Sequence, residues 1–146
     1  MGNIKEIHKA CLNNDLKKFN FLIKRDNFII NERDNINFTP LMCACFSGNV
    51  YMVKKLLKFK KVLINARSNN KKTALIIAAT RGHLDIVKLL INSGAKTNLK
   101  QYKNSKKICP EKTALNVALQ CHHPKVSKYL KGKKTSKTNR YKNWKV

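Results

Sequence analysis

Apolar residues in this chain fall into short groups at helical spacing, separated by polar breaks rich in glycine and asparagine, and the groups recur. Thr39-Pro40-Leu41 returns 34 residues later as Thr73-Ala74-Leu75, and Ala44, Gly48 and Val53 return as Ala78, Gly82 and Val87. The same step taken backwards from Leu41, Ala44, Cys45, Val53 and Leu56 lands on Ile7, Ala10, Cys11, Phe19 and Leu22. Forwards the step is longer: Thr113-Ala114-Leu115 lies 40 residues after Thr73, with Ala118, Val126 and Leu130 continuing the pattern. A fixed period of this length is the mark of a repeat architecture, and four units are expected.

Each unit reads as two short helices. Thr39, Thr73 and Thr113 can cap a first helix through the hydroxyl oxygen, and Pro40 suits a first helical turn, where its missing N–H costs nothing. Ala44, Cys45, Ala78, Ala79 and Ala118 keep one face small enough for close approach, and Gly48 and Gly82 supply the turn. The second helix carries a broad apolar face (Ile86, Val87, Leu89, Leu90 and Ile91 in the third unit), with Gly94 placed to end it. One such pair cannot bury that face alone, so the units must stack.

Thr73-Ala74-Leu75, Ala78-Ala79, Gly82-His83, Val87, Leu89-Leu90 and Gly94-Ala95 together resemble the ankyrin repeat, T-P-L-H-x-A-A followed by G-H and V-x-L-L-x-x-G-A. The second unit keeps most of this, with Met42 in place of the usual histidine and one extra residue before Asn65. The first keeps Ile7-His8 and offers Asn3 and Glu6 as a capping box. The resemblance implies an all-α ankyrin-repeat solenoid of stacked helix-turn-helix units with protruding hairpin loops near 35–38 and 69–72. Units are expected at about 3–34, 35–68, 69–100 and 108–132, with a basic insertion near 101–107. In the fourth unit His122 replaces the glycine and His123 and Pro124 follow. His8 and His83 are expected to tie neighbouring loops together; Met42, Ile76 and Asn116, which lack the Leu-His histidine, imply weaker tethering in the middle and C-terminal units.

The resemblance further implies a non-catalytic, monomeric module that binds another protein through its hairpin loops and first helices, without cofactor or metal. Its variable contact positions map to Asn35, Ile36, Phe38, Phe46 and Ser47 in the second unit, to Asn69, Asn70, Lys72, Thr80 and Arg81 in the third, and to Lys112 and Gln120 in the fourth. Phe38 and Phe46 stand out, because exposed aromatics provide compact contact area.

Charge changes the picture of the partner. Thirty-two Lys and Arg face 7 Asp and Glu, a formal net charge of +25, so an acidic surface is the expected complement. The alternative is non-specific binding of nucleic acid or another acidic surface through the basic body and a tail, 133–146, expected to be disordered. That tail interleaves Lys133, Lys134, Lys137, Arg140, Lys142 and Lys145 with Tyr141 and Trp144, and cations with rings suit single strands. Against dedicated base reading, 27 of the cations are lysine and only 5 arginine, as an AT-rich coding sequence would also produce.

Other chemistries fit poorly. The longest apolar run, Ala74 to Ala79, is six residues, too short for a membrane span, and the N-terminus lacks a secretory pattern, so an intracellular protein, cytoplasmic or nuclear, is expected. Five cysteines do not form a disulfide framework. Cys11 and Cys45 fall where the third unit has Ala79, and Cys43 where it has Ile77, so packing explains them. Cys109, Cys121, His122 and His123 lack the spacing of a zinc site, and no carboxylate pair is poised for acid–base work. Asp15 and Asp85 fall at second-helix starts, where negative charge is favoured.

Overall fold

A computed structural model describes residues 5–25, 29–101 and 112–138. Among these residues eight helices form four hairpins: α1 (Glu6–Leu12) with α2 (Leu16–Leu22), α3 (Pro40–Ser47) with α4 (Val50–Leu57), α5 (Ala74–Arg81) with α6 (Leu84–Asn92), and α7 (Ala114–Gln120) with α8 (Pro124–Thr138). The first helices pack in series, α1 on α3 on α5 on α7, and the second helices form an outer layer in which α4 meets α6 and α6 meets α8. Seven of the eight helices have nine residues or fewer, below the length at which isolated helices persist in water, so the fold depends on stacking.

The repeat appears in the core as columns. Ala10, Ala44, Ala78 and Ala118 are buried at the same position of successive first helices, where a larger side chain would hold the units apart. Met52, Ile86 and Val126 form a second column, and Leu56, Leu90 and Leu130 a third. Each leucine buried this way contributes about 2 kcal/mol. On the fourth hairpin, against which no further hairpin packs among the described residues, the columns change character. Asn116 takes the position of buried His8, Met42 and Ile76, and Leu119 that of Cys11, Cys45 and Ala79; both are exposed.

Thr39, Thr73 and Thr113 are the N-caps of α3, α5 and α7, accepting hydrogen bonds from the backbone N–H of Met42, Ile76 and Asn116 at 3.3, 3.3 and 3.4 Å. Thr113 and Asn116 form a reciprocal capping box. In the first unit the expected box at Asn3 and Glu6 is corrected. The N-cap of α1 is Lys5, in register with the threonines, and it makes no side-chain cap bond; Glu6 is therefore the first helical residue, and Asn3 lies outside the described residues.

The tail expectation also changes. Residues 133–138, expected to be disordered, continue α8 to Thr138, because no proline or β-turn sequence stops the helix and Gly132 faces open space. Residues 139–146, with Arg140, Tyr141, Lys142, Trp144 and Lys145, lie outside the described residues, as do 102–111, which hold the basic insertion and Cys109. The insertion is bracketed by a two-residue antiparallel pair, β1 (Lys100–Gln101) and β2 (Lys112–Thr113), with Lys100 opposite Thr113.

Side chains other than the Leu-His histidine also tie the first unit to the second and the second to the third. Asn31 donates from Nδ2 to the Lys61 carbonyl and accepts the Leu63 N–H, both at 2.8 Å. Asn65, 34 residues on, donates to the Gly94 carbonyl and accepts the Lys96 N–H at 2.8 Å. Arg33 donates to the Arg67 carbonyl at 2.9 Å, and Arg67 in turn donates to that of Lys100.

Candidate functional site

The hairpins that carry the predicted contact residues are built by short polar side chains. In the first, the Asp34 N–H donates to the Phe38 carbonyl at 3.1 Å, while Asp34 Oδ1 accepts the N–H of Ile36 and of Phe38 at 3.0 and 2.8 Å. In the second, Ser68 replaces Asp34: its N–H donates to the Lys72 carbonyl at 3.0 Å and its Oγ accepts the Lys72 N–H at 3.1 Å. Asn37 and Lys71 occupy the left-handed position of these turns, with φ of 61° and 58°. The Asn69 N–H donates to the Ile36 carbonyl at 3.1 Å and Asn37 Nδ2 donates to Asn69 Oδ1, so the two hairpins are joined. Asn35, Ile36, Asn69 and Asn70 are left exposed at the tips.

Beside the hairpins, Phe38, Phe46, Lys72, Thr80 and Arg81 line one cleft of about 240 Å³. Ile77, at its base, was not foreseen as part of it, although its register with Cys43 was legible. The Arg81 guanidinium lies 3.7 Å from the centre of the Phe46 ring. Stacking on the ring restrains the guanidinium while leaving its N–H edge available for a carboxylate. Phe46 is 40% exposed, but Phe38 is a correction: it is half-buried and packs against the core, so it forms a wall of the cleft and not a free aromatic. Its carbonyl accepts the Nε2–H of buried His8 at 2.9 Å, tying the first unit to the first hairpin.

The remaining predicted residues are engaged elsewhere. Ser47 Oγ donates to the Ala44 carbonyl and Thr80 Oγ1 to that of Ile76, so both hydroxyl protons stay within their own helices. Lys112 Nζ donates to Gln120 Oε1, which ties the two fourth-unit residues to each other. Lys133 belongs to α8, with Nζ 5.5 Å from the centre of the Tyr129 ring, and Lys134 and Lys137 lie on the same helix.

The electrostatics of the cleft are positive and uncompensated. Among the described residues the ion pairs are Lys5 with Glu32 and Lys18 with Glu6, both in the N-terminal part of the array. The nearby carboxylate, Asp34, is occupied by hairpin N–H groups. The three buried thiols are disfavoured as thiolates: burial pushes Cys11 up to about 12, and raises Cys43 and Cys45 above the usual thiol range. Among the described residues no three His, Cys, Asp or Glu side chains are grouped to hold a metal ion, and no helix is long and apolar enough to cross a membrane.

At the second-helix N-caps, sequence reasoning placed Asp15 at a helix start and His83 as a tie, and missed Asn49 and His123. Asp15 and Asn49 cap α2 and α4 by accepting the N–H of Lys18 and Met52, both at 2.9 Å. At the equivalent His83 and His123 the ring reaches back one unit instead, to the Phe46 backbone and, at 2.9 Å, to the Thr80 carbonyl. The cleft residues Phe46 and Thr80 are thereby held by the next unit. The step of 40 from His83 to His123 was the available clue.

No curated protein matches this chain. A family model for ankyrin repeats (3 copies) matches residues 7–101 and again 59–142. Those matches span most of the sequence and coincide with the stacked hairpins, the threonine caps and the histidine ties between units; the chain belongs to the ankyrin repeat family.

Proposed function

We propose that this chain binds an acidic segment of another protein in the cleft between its second and third units. Ankyrin repeats are generally non-catalytic protein–protein interaction modules. The observation that supports this particular face is the Arg81 guanidinium stacked on exposed Phe46, with Lys72 in the same cleft and no carboxylate paired with either cation among the described residues. A carboxylate of the partner meets the guanidinium edge, and an apolar group beside it covers Phe46 and Phe38. Arginine and aromatic side chains in a partly enclosed pocket are the residue types that dominate interface energetics.

The test is affinity capture from native lysate on the full chain, repeated with Phe46→Ala combined with Arg81→Gln. Loss of two anchors is expected to reduce recovery of the principal partner at least ~30-fold, the equivalent of about 2 kcal/mol. Recovery unchanged by the double substitution removes this face from consideration.

A further inference from the structure

The outer layer of second helices presents a different surface. Lys54, Lys88 and Lys128 each directly follow a buried pair, Met52–Val53, Ile86–Val87 and Val126–Ser127, so they occupy one register position on α4, α6 and α8. All three are exposed, and none is among the ion pairs of the described residues. Lys54 and Lys88 line the same cleft of about 310 Å³ between α4 and α6. Asp85 also lines it, from the first turn of α6, without forming an ion pair among the described residues.

Rings accompany the cations. Tyr51 is 43% exposed, with Lys55 Nζ 5.4 Å from its ring centre, and half-buried Tyr129 holds Lys133 Nζ at 5.5 Å. Phe21 is 66% exposed, four residues after exposed Lys17. Three of the four second helices therefore carry a ring and a lysine one turn apart, on the same helical face.

We infer that this outer face binds single-stranded nucleic acid without sequence preference. A row of point charges that advances one step per unit matches a linear polyanion, and accessible rings beside the row give unpaired bases a surface on which to stack. Lysine in place of arginine supplies charge without the planar fork that reads base edges, so the contacts tolerate any sequence. A duplex offers its phosphates but keeps its bases from the rings. This surface is separate from the cleft of Phe46 and Arg81, and either reading can fail without the other.

The experiment titrates the full chain into a fluorescently labelled 20-mer of oligo(dT), measuring anisotropy between about 50 and 200 mM salt. Substituting Lys54→Gln, Lys88→Gln and Lys128→Gln is expected to flatten the slope of log affinity against log salt by about 2, or ~0.7 per lost phosphate contact. Tyr51→Ala is expected to weaken binding roughly tenfold. The control, Lys72→Gln with Arg81→Gln and Lys112→Gln, removes the same net charge from the other face and is expected to leave the slope unchanged. Equal flattening by both triple variants overturns the inference, since net charge alone then accounts for binding. So does absence of binding at ~100 mM salt, equal affinity for a 20-base-pair duplex with no effect of Tyr51→Ala, or a preference for phosphatidylserine vesicles or polyglutamate over the oligonucleotide. All three outer lysines are exposed, and unchanged circular dichroism confirms that the variant folds.

Discussion

The four units use the same position in graded ways. At the N-cap of the second helix, Asp15 caps its own helix, Asn49 caps its own helix and also donates back to Asn14 of the preceding unit, and His83 and His123 reach to the preceding unit through the ring, His83 without a local cap bond. The consequence falls on the turn beneath. The left-handed residue there is Gly48 under His83 and Gly82 under His123, and a Cβ on either would come within 2.6 Å of the imidazole. Where no histidine arrives, the left-handed position carries a side chain: Asn14, which accepts a hydrogen bond from Asn49 at 2.8 Å, and His122, at the end of the stack. The glycines are thus required twice, by φ and by the ring packed on them, and the second requirement comes from the next unit.

The sharpest way to break this comparison is to add a methyl group. Gly48→Ala and Gly82→Ala are each expected to cost about 2 to 4 kcal/mol in urea unfolding, combining positive-φ strain with the clash. Gly94→Ala, with φ of 97° and nothing within 4 Å of its Cβ, should cost only the strain, about 1 to 2 kcal/mol. Adding His83→Ala to Gly48→Ala should recover the clash component. Additive losses in that double variant would show that the ring does not enforce the glycine.

Removing the N-cap residues themselves is expected to have smaller effects that differ in location. Asp15→Ala should cost about 1 kcal/mol and raise amide exchange within α2. His123→Ala should cost about 1 kcal/mol as well, but raise exchange at the junction of α5 with α7 and α8. Matching exchange maps for the two variants would erase the distinction between local cap and inter-unit tie.

Acidification should produce the smallest effect. Burial holds His83 below its ordinary 6.5, opposed by its bond to the Phe46 backbone and reinforced by the charges of Arg81 and His123. Between the lowered value and 6.5 the unfolded chain binds more protons than the folded one, so stability rises with pH through this window. The contribution is present above 6.5 and is lost as pH falls towards the folded value. His83→Asn should flatten urea midpoints measured from pH 7 down to 5, and an unchanged profile would assign the pH dependence to another group.

Much of the fold was legible because repetition multiplies weak local cues. Thr39, Thr73 and Thr113 are modest caps singly, yet their shared register with the alanine column leaves few alternatives. The cleft was only half legible. Phe46 and Arg81 were marked by position, but their stacking depends on two helices of different units meeting. Phe38 read as an exposed aromatic because its hairpin is polar; the core beside it takes up half the ring. The asparagine ties went unseen, since Asn31 and Asn65 are unremarkable among 18 asparagines until the carbonyls they reach are in place. His122-His123 read as the decay of a glycine motif, when His123 performs the same reach as His83.

The amino-acid order alone therefore determined the unit, its helix starts, its small-residue column and the excess of positive charge, because each depends on spacing within about 34 residues or on composition. Only the tertiary structure decided which side chains face each other across units, which cations stay without a carboxylate, and why two turns must be glycine. Those are contacts between residues 29 to 43 positions apart, and their existence depends on how closely one hairpin settles against the next.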